Sequence, residues 1–116
     1  MQNSSFNKDL FFNGQRVNTK VILESSFSKE IRILLSKGQI MKEYQTPFPI
    51  VVHLLEGELT FGVQGVNHDL KKGAILTLEG NIPHDLTAKT DCIVRLTLSK
   101  LDKAERVEAV AVGSAK

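Results

Sequence analysis

Between Thr19 and Ser99 the apolar positions recur every second residue rather than every third or fourth. Leu59, Phe61 and Val63 alternate with Glu58, Thr60 and Gly62. Ile31, Ile33 and Leu35 alternate with Glu30, Arg32 and Leu34, and Val94, Leu96 and Leu98 with Ile93, Arg95 and Thr97. Successive side chains of a strand point to opposite faces, so each run predicts a strand with one face in a core. Ile50 to Leu55 is apolar at every position but His53, which predicts a strand covered on both sides. Turn signals separate the runs: Ser36-Lys37-Gly38, Thr46-Pro47-Phe48-Pro49, Gly65, Lys71-Lys72-Gly73 and Glu79-Gly80-Asn81. Short strands broken by turns, with no amphipathic helix between them, predict an all-β sandwich or barrel. The flanks differ. Residues 1–16 are polar and predict an N-terminal arm or edge strand, residues 17–100 form the barrel domain, and residues 101–116 predict a flexible C-terminal tail.

Composition narrows the function classes. At 116 residues, 41% hydrophobic and 24% charged, the chain is sized and composed for one globular domain. A net charge of +2, spread evenly, gives no footprint for nucleic acid. No apolar run approaches the roughly 18–20 residues of a spanning helix, so no membrane partner is expected. The opening MQNSSFNKDL lacks a basic-then-apolar leader pattern, and a cytoplasmic location is expected. The single cysteine, Cys92, excludes an intramolecular disulfide and a multi-cysteine zinc site. A Gly-x-Ser-x-Gly elbow and a phosphate-cradling glycine loop are both missing, which argues against nucleophilic hydrolysis and nucleotide binding.

The glycine spacing carries a resemblance. Gly38 and Gly57 bracket a segment of the length that opens the cupin motif, in which glycine, five residues, His, one, His, three, Glu, six and glycine follow in order. Gly73 and His84, within LKKGAILTLEGNIPHDL, resemble the second cupin motif, and LLEGELTFGV resembles the strand-turn-strand between them. The resemblance covers about Val21 to Leu98 and implies an antiparallel jelly-roll barrel.

What the resemblance implies chemically is altered by the residues present. Cupins converge two histidines, a glutamate and a third histidine on a divalent transition metal. In this sequence those positions hold Tyr44, Thr46, Ile50 and His84. The second motif also departs, with Glu79, Asn81 and Ala88 where proline, glycine and asparagine are the pattern. Such metals take three or four imidazole, carboxylate or thiolate donors. No metal cofactor is therefore expected. The alternative is a divalent-metal enzyme of dioxygenase or isomerase type that uses His84 with Tyr44 and a carboxylate from outside the motif. A third reading is a dimeric structural barrel.

The remaining candidates sort by position. If Ile50 faces the interior, so do Val52 and Leu54, and His53 faces away. His68 falls in a solvated turn or strand start, Cys92 reads as a small buried hydrophobe, and Asp85 points opposite to its neighbour His84. His84, Tyr44, Thr46, Ile50, Val52 and Phe48 together compose a mostly apolar pocket with a few polar groups. The expectation is a metal-free barrel that binds a small molecule through these residues and pairs as a homodimer. No catalytic residue is assigned.

Overall fold

Strands with one apolar face can bury it only by pairing into sheets and turning those faces toward each other. In the computed structural model, which describes residues 1–100 and only the backbone at Glu43 and Tyr44, this is the arrangement found. Nine strands occur among the described residues: β1 (Asn18–Glu24), β2 (Ser28–Leu35), β3 (Ile40–Tyr44), β4 (Ile50–Glu56), β5 (Glu58–Val63), β6 (Val66–Lys71), β7 (Ile75–Leu78), β8 (His84–Ala88) and β9 (Cys92–Ser99). They form a five-stranded sheet, β1-β2-β9-β4-β7, and a four-stranded sheet, β3-β8-β5-β6, with every neighbour antiparallel. The fold is all-β, as the period-two pattern predicts, and of jelly-roll type. Among the described residues no helix is long and apolar enough to cross a membrane. The C-terminal tail expected at 101–116 lies outside the described residues.

The core sits between the sheets. The five-stranded sheet contributes Ile33 and Leu35 from β2, Ile50, Val52 and Leu54 from β4, and Cys92, Val94 and Leu96 from β9. Leu59, Phe61, Leu86 and Ala88 meet them from β5 and β8. Tight junctions hold these faces in place. Gly57, between β4 and β5, sits at φ 95°, and a Cβ there would collide with the Asp91 carbonyl and approach Cys92 Sγ to 2.9 Å. Gly38 shares the left-handed backbone (φ 87°) but has open space around it.

The outer face of the five-stranded sheet departs from the simple alternation. Glu30, Arg32 and Leu34 of β2 read as an outward, partly polar row, yet all three are buried, Arg32 at 3% exposure. The N-terminal arm lies against Arg32. The arm forms no strand; its backbone carbonyls serve instead as acceptors. Arg32 Nη1 donates to the carbonyls of Lys8 (2.7 Å) and Phe6 (3.3 Å), and Nη2 to that of Asp9 (3.4 Å). Further along, the Asn13 carbonyl accepts from Gln39 Nε2 at 2.6 Å and from Ser36 Oγ at 3.4 Å. The Phe6 ring lies 5.9 Å from the Arg95 guanidinium, a cation–π contact.

Beneath the arm, Glu30 accepts from Thr97 Oγ1 (2.6 Å), Arg95 Nε (2.9 Å) and Ser28 Oγ (2.9 Å). Desolvation pushes its carboxyl up, but the hydrogen bonds from Thr97, Arg95 and Ser28 outweigh that and hold it below the usual glutamate range.

Two measurements test this description. Gly57→Ala should destabilise the fold by upwards of about 2 kcal/mol, since strain and a backbone collision combine. Gly38→Ala carries strain alone and should cost less, on the order of 1 kcal/mol. Equal losses in urea titration would mean that the contact at Gly57 is not the deciding factor. Because the Glu30 carboxyl is depressed in the folded state, its stabilisation is present above the unfolded glutamate pKa of about 4.3 and fades as pH falls below it. Glu30→Gln should therefore be about 2 kcal/mol less stable at pH 7, with the gap to wild type closing below about pH 4. A gap independent of pH would mean the carboxylate charge is not what stabilises this face.

Candidate functional site

His84 opens β8 and is 3% exposed. Its ring stacks on Phe61 with centroids 5.4 Å apart and planes 15° from parallel. Nδ1 lies 3.1 Å from the Ile82 carbonyl. A carbonyl can only accept, so in this contact Nδ1 is the donor. The IPHD segment is thus tied through His84 to its own turn. Asp85, the next residue, turns to the outer face, where it packs over Gly62; a Cβ at Gly62 would collide with the Asp85 carboxylate.

The other candidates separate. Ile50 and Val52 are 3% and 2% exposed and belong to the filled core. Thr46 and Phe48 sit in the turn between β3 and β4, where Thr46 Oγ1 donates to the Phe48 carbonyl at 2.8 Å. Both line a hollow of about 150 Å³ with Pro47, Pro49 and Leu98. His84 lines a different one, of about 130 Å³, with Val63, Asn67, Pro83 and Asp85. Tyr44 pairs with His84 in the β3–β8 ladder, and its side chain lies outside the described residues. Among the described residues, Thr46 and Phe48 line one hollow and His84 another. Counting by twos does not carry across this stretch, because the β3–β8 register shifts between Met41 and Tyr44 and Thr46 lies past the end of the strand.

His53 does face away from the core, in register with Arg95 on the outer face. His68 is exposed in β6. Cys92 is buried, its thiol donating toward the Glu58 carbonyl at 3.1 Å and the Thr90 carbonyl at 3.2 Å. Burial pushes that thiol above its ordinary pKa, the opposite of what a reactive cysteine needs.

The structure opens elsewhere. A groove of about 300 Å³ runs between the sheets where β1 and β3 leave the barrel unclosed. Val21, Ile31, Ile33, Met41 and Leu96 form its wall, and Thr19 and Lys20 stand with them on β1. Ile31, Ile33 and Leu96 are legible as inward positions from alternation. The contributions of β1 and Met41 are not, because nothing in their local sequence tells which strands remain edges.

Solved structures share this architecture. An RmlC-like cupin from Desulfovibrio desulfuricans superposes with a TM-score of 0.78 at 24% identity, over 85% of this chain and 96% of that one. A protein with a double-stranded beta-helix domain from Klebsiella pneumoniae gives 0.74 at 16% identity, over 85% and 89%. An RmlC-like cupin from Shewanella frigidimarina gives 0.72 at 20% identity, over 85% and 91%. The chain has the cupin fold. No protein-family model matches the sequence, and no curated protein matches it.

Cupin folds invite a test for a transition metal. At the four ligand positions the described donors are the His84 imidazole, already bonded through Nδ1, and the Thr46 hydroxyl, already given to Phe48. Ile50 places a buried aliphatic side chain where a carboxylate would be needed. No group of three or more His, Cys, Asp or Glu side chains gathers among the described residues. This donor set does not fit a divalent transition metal.

Proposed function

We propose that this cupin-fold protein binds a small, largely apolar molecule in the groove between β1, β2, β3 and β9, without a transition metal. The groove itself carries the reading. Its roughly 300 Å³ lies at the lower end of the range for small-molecule sites, and its wall is aliphatic with a few polar groups at the rim. Val21 is 48% exposed, so a ligand that covers it gains burial at about 25 cal/mol per Å² of apolar surface. Thr19 supplies a hydroxyl for one oriented hydrogen bond. The same packing that fills the middle of the barrel with Ile50, Val52 and Leu86 moves the ligand from the centre to this edge. The fold by itself does not select this function, since one barrel supports many activities.

A neutral fluorescent probe, N-phenyl-1-naphthylamine, should bind wild type saturably. Val21→Trp fills the groove from an exposed strand position and should abolish that binding while the thermal transition is retained. Probe binding that survives in folded Val21→Trp would place the site elsewhere. Separately, elemental mass spectrometry of protein purified without chelators should find under about a tenth of an equivalent of iron, nickel, zinc or manganese, given the donor set. A near-stoichiometric metal would overturn the metal-free reading and return attention to His84 and Tyr44.

A further inference from the structure

The outer face of the five-stranded sheet carries an arrangement that its own interactions leave incomplete. Lys20 of β1 stands opposite Arg32 of β2, Arg32 opposite Arg95 of β9, and Arg95 opposite His53 of β4. Residues directly opposite in antiparallel strands share a face with Cβ atoms about 4.5–5.5 Å apart, and like charges so placed repel. Three cations and an imidazole therefore run side by side across four strands. The carboxylate that reaches this row, Glu30, is bonded to Arg95 Nε and to two hydroxyls. Glu24, at the far end of β1, is paired with Lys100.

Arg32 is the anomaly. Among the described residues no carboxylate reaches its buried guanidinium; its acceptors are three arm carbonyls, two of them at 3.3 Å or beyond. Its Nε is buried and has no acceptor among the described residues. A buried cation is costly unless its N–H groups are satisfied, and a guanidinium fork matches two oxygens of one anion better than separate carbonyls. Next to it, Arg95 gives Nε to Glu30, and its terminal nitrogens make no hydrogen bond among the described residues. Its side chain remains 43% exposed, so Arg95 is open to solvent beside the buried Arg32.

We propose that this face is an oxyanion site. A carboxylate or phosphate group seats between Arg32 and Arg95 and takes the terminal N–H groups of Arg95 together with Arg32 Nε–H and the Arg32 terminal N–H groups that now go to the carbonyls of Phe6, Lys8 and Asp9, displacing those carbonyls. The arm is then the competitor that occupies the site when no anion is bound. The guanidinium pair is on the opposite face of the sheet from Ile31, Ile33 and Leu96 in the groove wall, and the site does not depend on the groove.

The test titrates the full chain with inorganic phosphate and, in parallel, with acetate, using sodium chloride to hold ionic strength constant. Thermal shift and the NMR signals of the arginine Nε–H groups are the readouts. Saturable stabilisation, with the Arg32 Nε–H signal moving in step, is the expected result. Response to phosphate alone, to acetate alone or to both assigns the preferred oxyanion. Arg95→Gln, at a half-exposed position, should fold and weaken binding about tenfold through loss of charged hydrogen bonds. Phe6→Ala should strengthen binding, because it loosens the arm that competes. If neither anion differs from chloride, or if folded Arg95→Gln binds as wild type does, the proposal is overturned.

Discussion

The pairing of β2 with β9 is the constraint on which the rest of the molecule depends. Eight residues of each strand run in unbroken register, from Ser28 opposite Ser99 to Leu35 opposite Cys92. Both strands are central, and both of their faces are committed. One face gives Ile33, Leu35, Val94 and Leu96 to the core; the other gives Glu30, Arg32, Arg95 and Thr97 to the charged layer under the arm. A slip of either strand by one residue would exchange that strand's faces, driving its guanidinium group into the apolar interior and its two aliphatic side chains out of it. The register is thus enforced twice, by hydrophobic burial inside and by matched hydrogen bonds outside. The irregularities of the sheet occur elsewhere, at Val21/Leu23 on β1 and Leu54/Glu56 on β4.

That division explains how a small barrel tolerates so much charge over a buried strand. Glu30 is satisfied by three donors, so its desolvation is offset locally. Arg32 is satisfied less completely, and by backbone rather than side chains. The arm has little apolar surface to offer, with Phe11 largely exposed, and its attachment runs mainly through hydrogen bonds. A segment held this way opens at lower free energy than the sheet it covers.

The fold was legible because two physical signals agreed. Alternation placed most of the core strands, and turn residues such as Gly38, Gly57 and Gly73 marked where left-handed backbone was needed. His53 was legible as facing away from the core for the same reason. The candidate site was legible only in part. Parity along the chain says nothing about a ladder that slips, and β3 slips between Met41 and Tyr44, which separated Thr46 and Phe48 from His84. The groove was hidden because its wall joins β1, β2, β3 and β9, segments far apart in sequence that meet only at an unclosed edge. Burial of Arg32 was hidden because the arm meets it with carbonyl groups, which every residue possesses and no sequence pattern marks.

The strand order also sets a timetable for the chain as it leaves the ribosome. The β5–β6 hairpin closes across Gln64 and Gly65 as soon as both strands exist. By contrast, β2 is complete at residue 35 and its inner partner is not made until residues 92–99 emerge. During that interval a strand with Ile31, Ile33, Leu34 and Leu35 has only β1 beside it and an open edge on the other side. Non-local pairing of this kind is slow, and an unpaired apolar edge is a template for association between chains. The charges at Lys29, Glu30 and Arg32 lie along that waiting edge, where they discourage intermolecular pairing before they serve the finished sheet.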